Sequence, residues 1–210
     1  TSHDIEYYNG MENFHDAGEV LEGTKFKVQI KIAASFLPPM GYEVLKVCFH
    51  ERTSKRPEGD VVILKNGAEN KYLVMHIQED GTLSVTNKQT QETYHQLNTF
   101  VEKGDDGDEY NYSPCIDDTE IRINDIHPMI TCIESSSIEV KYRLEYQIQV
   151  PEKVVDHHRV QALKPLKICS DVSLKANSQT IDFVTKINNH SCDHIVRVCF
   201  EDIYKVKGYL

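Results

Sequence analysis

Period-two alternation of polar and apolar residues runs through this chain and points to an all-β fold, an antiparallel β-sandwich preceded by a small β-domain remnant. Residues 25–32, Lys-Phe-Lys-Val-Gln-Ile-Lys-Ile, alternate without a break. Residues 138–150 place Ile138, Val140, Tyr142, Leu144, Tyr146, Ile148 and Val150 on one face. No stretch carries a sustained apolar stripe at helical spacing, so little helix is expected.

Taken in order, the elements are separated by turn residues. Pro38-Pro39-Met40-Gly41 breaks the chain after the first alternating run. Residues 51–60 are charged, contain Pro and Gly and have no apolar residue, as a linker would. Residues 1–50 then form part of a small β-domain, with too few strands to stand alone. Asn66-Gly67 follows the strand Val61–Leu64, and Asp80-Gly81 joins Leu73–Gln78 to Thr82–Thr86 as a hairpin. The run 138–150 would span about 43 Å at roughly 3.3 Å per residue, which suits a large sandwich better than a small barrel. Residues 166–174 and 181–187 alternate more loosely. A turn at Asn188-Asn189-His190-Ser191 leads to a last strand over 195–200. Residues 61–210 therefore read as the N-terminal part of a large β-sandwich domain.

Composition narrows the function classes. Among 210 residues, 33 acids against 23 bases give a net charge of −10, and no basic stripe stands out. Nucleic-acid binding is not expected. No apolar run approaches the roughly 20 residues needed to cross a bilayer. The six cysteines are widely and irregularly spaced, with no Cys-x-x-Cys. Cys48, Cys132, Cys169 and Cys199 lie in apolar runs, where thiols act as small core residues. Reduced thiols and a cytoplasmic setting are expected.

The segment from Gly104 to Pro114 concentrates the chemistry. Asp105, Asp106, Asp108 and Glu109 stand among Gly104 and Gly107, just before Tyr110 and Tyr112. Clustered carboxylates repel one another and need solvent, a cation or a hydroxyl-rich ligand. The glycines permit backbone angles that other residues resist. In an extended segment both tyrosines would face the same side. Carboxylates beside aromatic rings suit sugar recognition; a solvated acidic turn is the plainer reading. Asp156-His157-His158 looks like metal-binding material, but adjacent histidines on a strand point to opposite faces and no second ligand pair stands at metal-site spacing. It is expected to be an exposed connection without metal. His3 and His15 read as surface residues. Asp193 and His194 read as a local hydrogen-bonded pair that fixes the preceding turn; a catalytic pair is the alternative, but no nucleophile stands beside them. Asn111-Tyr112-Ser113 and Asn189-His190-Ser191 are glycosylation sequons, which matter only outside the cell.

Three segments together resemble glycoside hydrolase family 38, the zinc-dependent retaining α-mannosidases. Leu37-Pro38-Pro39-Met40-Gly41-Tyr42 is similar to the Pro-Pro-x-Gly-Tyr that closes the family's small β-domain. Asp80 to Thr86, running through Thr90, Tyr94 and Phe100 to Gly107–Pro114, resembles the start of the large sandwich in bacterial members. Asn189 through Asp193-His194 to Arg197-Val198-Cys199-Phe200 is similar to the family's Asp-His-x-x-Arg-Val-x-Phe stretch.

The resemblance implies a partial, mutarotase-like super-sandwich and an enzyme that hydrolyses terminal α-linked mannose. The family's zinc ligands and aspartate nucleophile lie upstream, in an α/β domain that this chain does not contain. The resemblance thus implies a piece of a longer enzyme, silent alone, with no catalytic residue and no zinc of its own. Mannose-containing oligosaccharides or glycosides are the implied ligands. Tyr110 matches the sugar-contacting tyrosine of the family's Gly-Ala-Tyr-x-Phe-x-Pro stretch. Asp108 and Glu109 replace the small pair before it, and Asp108 is the second candidate for substrate contact. Ends cut within domains would expose strand edges and favour self-association. The competing readings are a free-standing carbohydrate-binding module and a mutarotase-like enzyme with its own acid and base.

Overall fold

The computed structural model describes residues 5–7, 30–32, 39–42, 44 and 59–200. The chain divides into two compact units, Thr1–Gly59 and Asp60–Leu210. In the first, β1 (Ile5–Tyr7) pairs antiparallel with β2 (Ile30–Ile32), in the register Ile5 to Ile32. Pro39 and Met40 form a turn, with Met40 at φ 59°. Cys48 and most of the expected linker lie outside the described residues.

The second unit holds β3 (Val62–Leu64), β4 (Gly67–Glu69), β5 (Leu73–Ile77), β6 (Leu83–Asn87) and β7 (Thr93–Leu97), then β8 (Thr99–Gly104), β9 (Ile121–Arg122) and β10 (Met129–Ser135). These are followed by β11 (Glu139–Pro151), β12 (Val154–Val155), β13 (His158–Arg159), β14 (Leu163–Lys175), β15 (Ile181–Asn188) and β16 (His194–Cys199). The only helical turn among the described residues is a 3-10 turn, Ile123–Asp125. No helix among them is long and apolar enough to cross a membrane.

Every ladder among the described residues is antiparallel. β3 to β7 form a five-stranded meander, β10-β11-β14-β15 a four-stranded sheet and β16-β8-β9 a three-stranded one, with β12-β13 a separate hairpin. The long strand sits where the alternation placed it. Ile138, Val140, Tyr142, Leu144, Tyr146, Ile148 and Val150 are all buried, while Glu145, Gln147 and Gln149 face out. They pack with Leu166, Ile168, Val172 and Leu174 of β14 against Ala68, Met75, Leu83 and Val85 of the meander. Each fully buried aliphatic side chain contributes about 1.5–3 kcal/mol, so this two-sheet interior is the main source of stability.

Two tyrosines tie the layers. The Tyr142 hydroxyl donates to Gly67 O at 3.0 Å. Tyr146 meets Phe100 edge-on, with centroids 5.5 Å apart, and its hydroxyl accepts from Asn124 Nδ2 at 3.1 Å. Burial and the nearby Asp80 carboxylate push the Tyr146 phenol far above its ordinary range, so it stays neutral. The β5–β6 hairpin needs Gly81, whose φ is 78° and whose missing Cβ would stand 2.0 Å from the Tyr146 hydroxyl. The β3–β4 turn lies one residue earlier than expected: Leu64 pairs with Gly67, so Gly67 opens β4.

The cysteine expectation is corrected. Cys132 is exposed, and Cys169 and Cys199 are half-buried. The buried thiol is Cys115, in the loop after the tyrosines. Cys169 pairs with outward-facing Glu145, whereas Cys132 pairs with buried Tyr142 but sits on β10, the edge strand of its sheet, so an apolar neighbourhood in sequence did not translate into burial.

Candidate functional site

The acidic segment is a closed loop between β8 and β9, anchored by its own carboxylates. Asp105 Oδ1 accepts from the Gly107 N–H at 2.9 Å and the Ser113 N–H at 3.0 Å. The Asp106 N–H donates to Ser113 O at 2.8 Å, closing the base. Asp108 Oδ1 accepts from the Tyr110 and Asn111 N–H groups at 2.9 and 2.8 Å. Those bonds, led by the Tyr110 N–H, hold the Asp108 carboxyl below its ordinary value. The carboxylates thus find backbone donors, which resolves much of the repulsion read from the sequence.

The glycines act by space rather than by angle. Neither Gly104 nor Gly107 has a positive φ. A Cβ on Gly107 would stand 1.8 Å from Asn111 O, and one on Gly104 would stand 2.5 Å from Cys115 Sγ. The segment is not extended, so the shared-face argument for the tyrosines does not apply. Tyr110 is 86% exposed, and no described residue hydrogen-bonds its hydroxyl. Tyr112 is held instead, its ring 4.5 Å from Lys103 Nζ and 5.6 Å from the Arg197 guanidinium. Such contacts contribute about 0.5–1 kcal/mol each at an exposed site. Lys103 and Arg197 come from neighbouring strands, β8 and β16.

The histidine segment braces this loop. Asp156 and His157, both at positive φ (49° and 68°), form the two-residue turn between β12 and β13. His157 Nδ1 lies 2.5 Å from Asp106 Oδ2, and that carboxylate raises the imidazole pKa above its ordinary value. The Ile116 N–H donates to His157 O at 2.8 Å. Among the described residues no group of three His, Cys, Asp or Glu side chains could hold a metal ion.

Beneath the loop lies a buried ionic cluster that the sequence reading missed. Glu102 of β8 is fully buried and takes both terminal nitrogens of Arg159, the Nη1 contact at 3.1 Å. Arg159 Nη1 also lies 3.3 Å from Asp118 Oδ1, while Asp118 Oδ2 accepts from the Gly104 N–H at 2.7 Å. Burial opposes the Arg159 charge, but Glu102 and Asp118 outweigh it and move its pKa upward. Burial, with Asp118 next, pushes the Cys115 thiol pKa up. The signal available in the sequence was a glutamate at the same parity as Phe100, in a strand too short and mixed to be singled out.

The expected Asp193–His194 pair is corrected. Asp193 Oδ2 accepts from the Val154 N–H at 3.1 Å, whereas His194 Nδ1 meets Glu102 Oε1 at 2.9 Å. One further cavity, about 740 Å³, lies against β11, β14 and β15, and no loop residue lines it. Of its charged lining, Asp171 pairs with Arg143, Lys175 with Asp182 and Lys141 with Glu139.

Residues 68–202 match the model of the glycosyl hydrolases family 38 C-terminal domain. The chain belongs to this family. Two solved structures from Enterococcus faecalis align with it, both at 27% identity. One, an α-mannosidase from strain V583, matches with a TM-score of 0.65 over 68% of this chain. The other, a protein in glycosyl hydrolase family 38, matches with a TM-score of 0.66 over 70%. The aligned parts amount to 18% and 20% of those longer chains. No curated protein matches the chain. The family 38 match takes in the acidic loop, the histidine hairpin and the buried cluster together.

Proposed function

We propose that this chain is the β-sandwich portion of a retaining, zinc-dependent α-mannosidase that hydrolyses terminal α-linked mannose, and that its Tyr110 loop forms one wall of the cleft. Family 38 membership supports the enzyme class. The observation that carries the wall is Tyr110: a ring and hydroxyl 86% exposed, with no described partner, on a loop anchored from below. An exposed aromatic with a free hydroxyl on a rigid support covers the apolar face of a sugar and hydrogen-bonds one of its hydroxyls. Asp108, kept ionised by backbone donors, is the second candidate to accept a sugar hydroxyl proton.

In a retaining reaction one carboxylate attacks the anomeric carbon and a second acid protonates the leaving oxygen. We assign neither role to this chain, which would be silent alone. The described residues do not fit a zinc site, so the zinc would be held elsewhere in the enzyme and no step here runs through it. This chain's part would be to bind and orient the mannose. Its ligand would be a mannose-containing oligosaccharide or glycoside, not nucleic acid or membrane. The five described cysteines are free thiols, which supports a cytoplasmic setting.

The test is turnover of an aryl α-mannoside by the polypeptide from the whole reading frame, with and without a zinc chelator, beside this chain alone. Chelator-sensitive turnover by the whole polypeptide, with none by the chain, is expected. Mannose binding without turnover by the whole polypeptide would replace the enzyme with a carbohydrate-binding module.

A further inference from the structure

The buried cluster contains a histidine whose two ring nitrogens both face acceptors. His194 is at the start of β16, its side chain 3% exposed. Nδ1 lies 2.9 Å from Glu102 Oε1, and a carboxylate there can only accept. Nε2 lies 3.0 Å from Asn189 Oδ1. That amide cannot be turned around, because Asn189 Oδ1 also accepts from the Ser191 N–H at 3.0 Å, and a backbone N–H can only donate. Both nitrogens must therefore donate, which only the imidazolium does.

Charge balance agrees. The groups around the ring are Glu102 from β8, Arg159 from β13, which shares Glu102, and Asp118, which bonds Arg159. A neutral ring would leave two carboxylates against one guanidinium around a fully buried glutamate, whereas an imidazolium balances them. The Asp193 carboxylate is engaged by the Val154 N–H instead.

The strand and the turn that the ring bridges, through Glu102 and Asn189, also meet the start of the Tyr110 loop. His194 pairs with Gly104 in the β16–β8 ladder, and Asp193 O accepts from the Asp105 N–H at 2.9 Å. Asp105 in turn organises the loop through Gly107 and Ser113. We infer that His194 is held as an imidazolium bridging Glu102 and Asn189, and that it is a positioning residue for the Tyr110 loop. Its importance for catalysis rests on the reading of that loop as substrate-facing; the inference about the ring and the loop does not.

The test uses this chain and no sugar, so its failure would leave the mannosidase reading intact. At neutral pH, long-range proton–nitrogen spectra should show both His194 ring nitrogens protonated; a neutral tautomer overturns the assignment. His194→Gln keeps a donor towards Glu102 and removes the charge. Hydrogen exchange at the Asp105 and Asp106 amides should accelerate about tenfold or more, while core amides of β5 and β11 hold their wild-type rates. Unchanged loop exchange overturns the positioning role. If His194→Gln does not fold, Asn189→Ala, altered at an exposed side chain, should still accelerate exchange at Asp105 about threefold or more. Wild-type exchange there overturns it equally.

Discussion

Replacing Tyr110 by Phe removes one hydroxyl and nothing else. The residue is 86% exposed and its hydroxyl has no described partner, so folding stability should change by less than about 0.5 kcal/mol. The contrast is Tyr142→Phe. That residue is 9% exposed and its hydroxyl donates to Gly67 O at 3.0 Å, so its loss strands a carbonyl and costs about 1–3 kcal/mol. If Tyr110 bonds mannose more strongly in the transition state, kcat/KM of the whole polypeptide should fall about 10- to 100-fold, or about 1.4–2.7 kcal/mol. The assay is aryl α-mannoside turnover beside thermal melts of both variants. Unchanged kcat/KM for Tyr110→Phe would refute the substrate contact. A lowered melting temperature would refute the claim that the hydroxyl is structurally idle.

Other consequences follow from the same geometry. Arg159→Met leaves Glu102 buried with half its partners and should cost about 3–5 kcal/mol, a melting temperature lower by roughly 6–20 °C; a loss under about 1 kcal/mol would show that the cluster carries little weight. The His157 pKa is raised by Asp106, so that pair's contribution is complete below the unfolded histidine pKa, about 6.5, and is lost as pH rises through the folded value. His157→Ala should remove that fall from a denaturation series run from acid to alkaline pH, and an identical pH profile would count against the pair. Among the described strands β15 is an unpaired edge of its sheet, with Val184 56% and Ile187 45% exposed. The chain should self-associate with concentration in sedimentation, and Val184→Lys should weaken that; a wild-type monomer at high concentration would argue against an adhesive edge.

Alternation alone was enough to read the sandwich. A strand with one buried face must repeat every second residue, and residues 138–150 do so without exception, so both the strand and its inward face were legible before any coordinates. The hairpin at Asp80-Gly81 was legible for a similar local reason: its turn chemistry is carried by adjacent residues. Family 38 membership was readable too, since its segments are contiguous in sequence. The working parts of the loop were not. Four carboxylates in a row of residues look like unmet charge, and only the folded loop supplies the backbone N–H groups that engage Asp105 and Asp108. Burial of Cys115 and exposure of Cys132 depend on what packs over the loop and on β10 being the edge of its sheet, which local apolarity does not encode. The Glu102–Arg159–His194 cluster joins positions 57 and 92 residues apart in sequence, brought together by β8, β13 and β16. Local pattern specifies what each strand is; which distant charges share a dry interior is a property of how the strands are assembled.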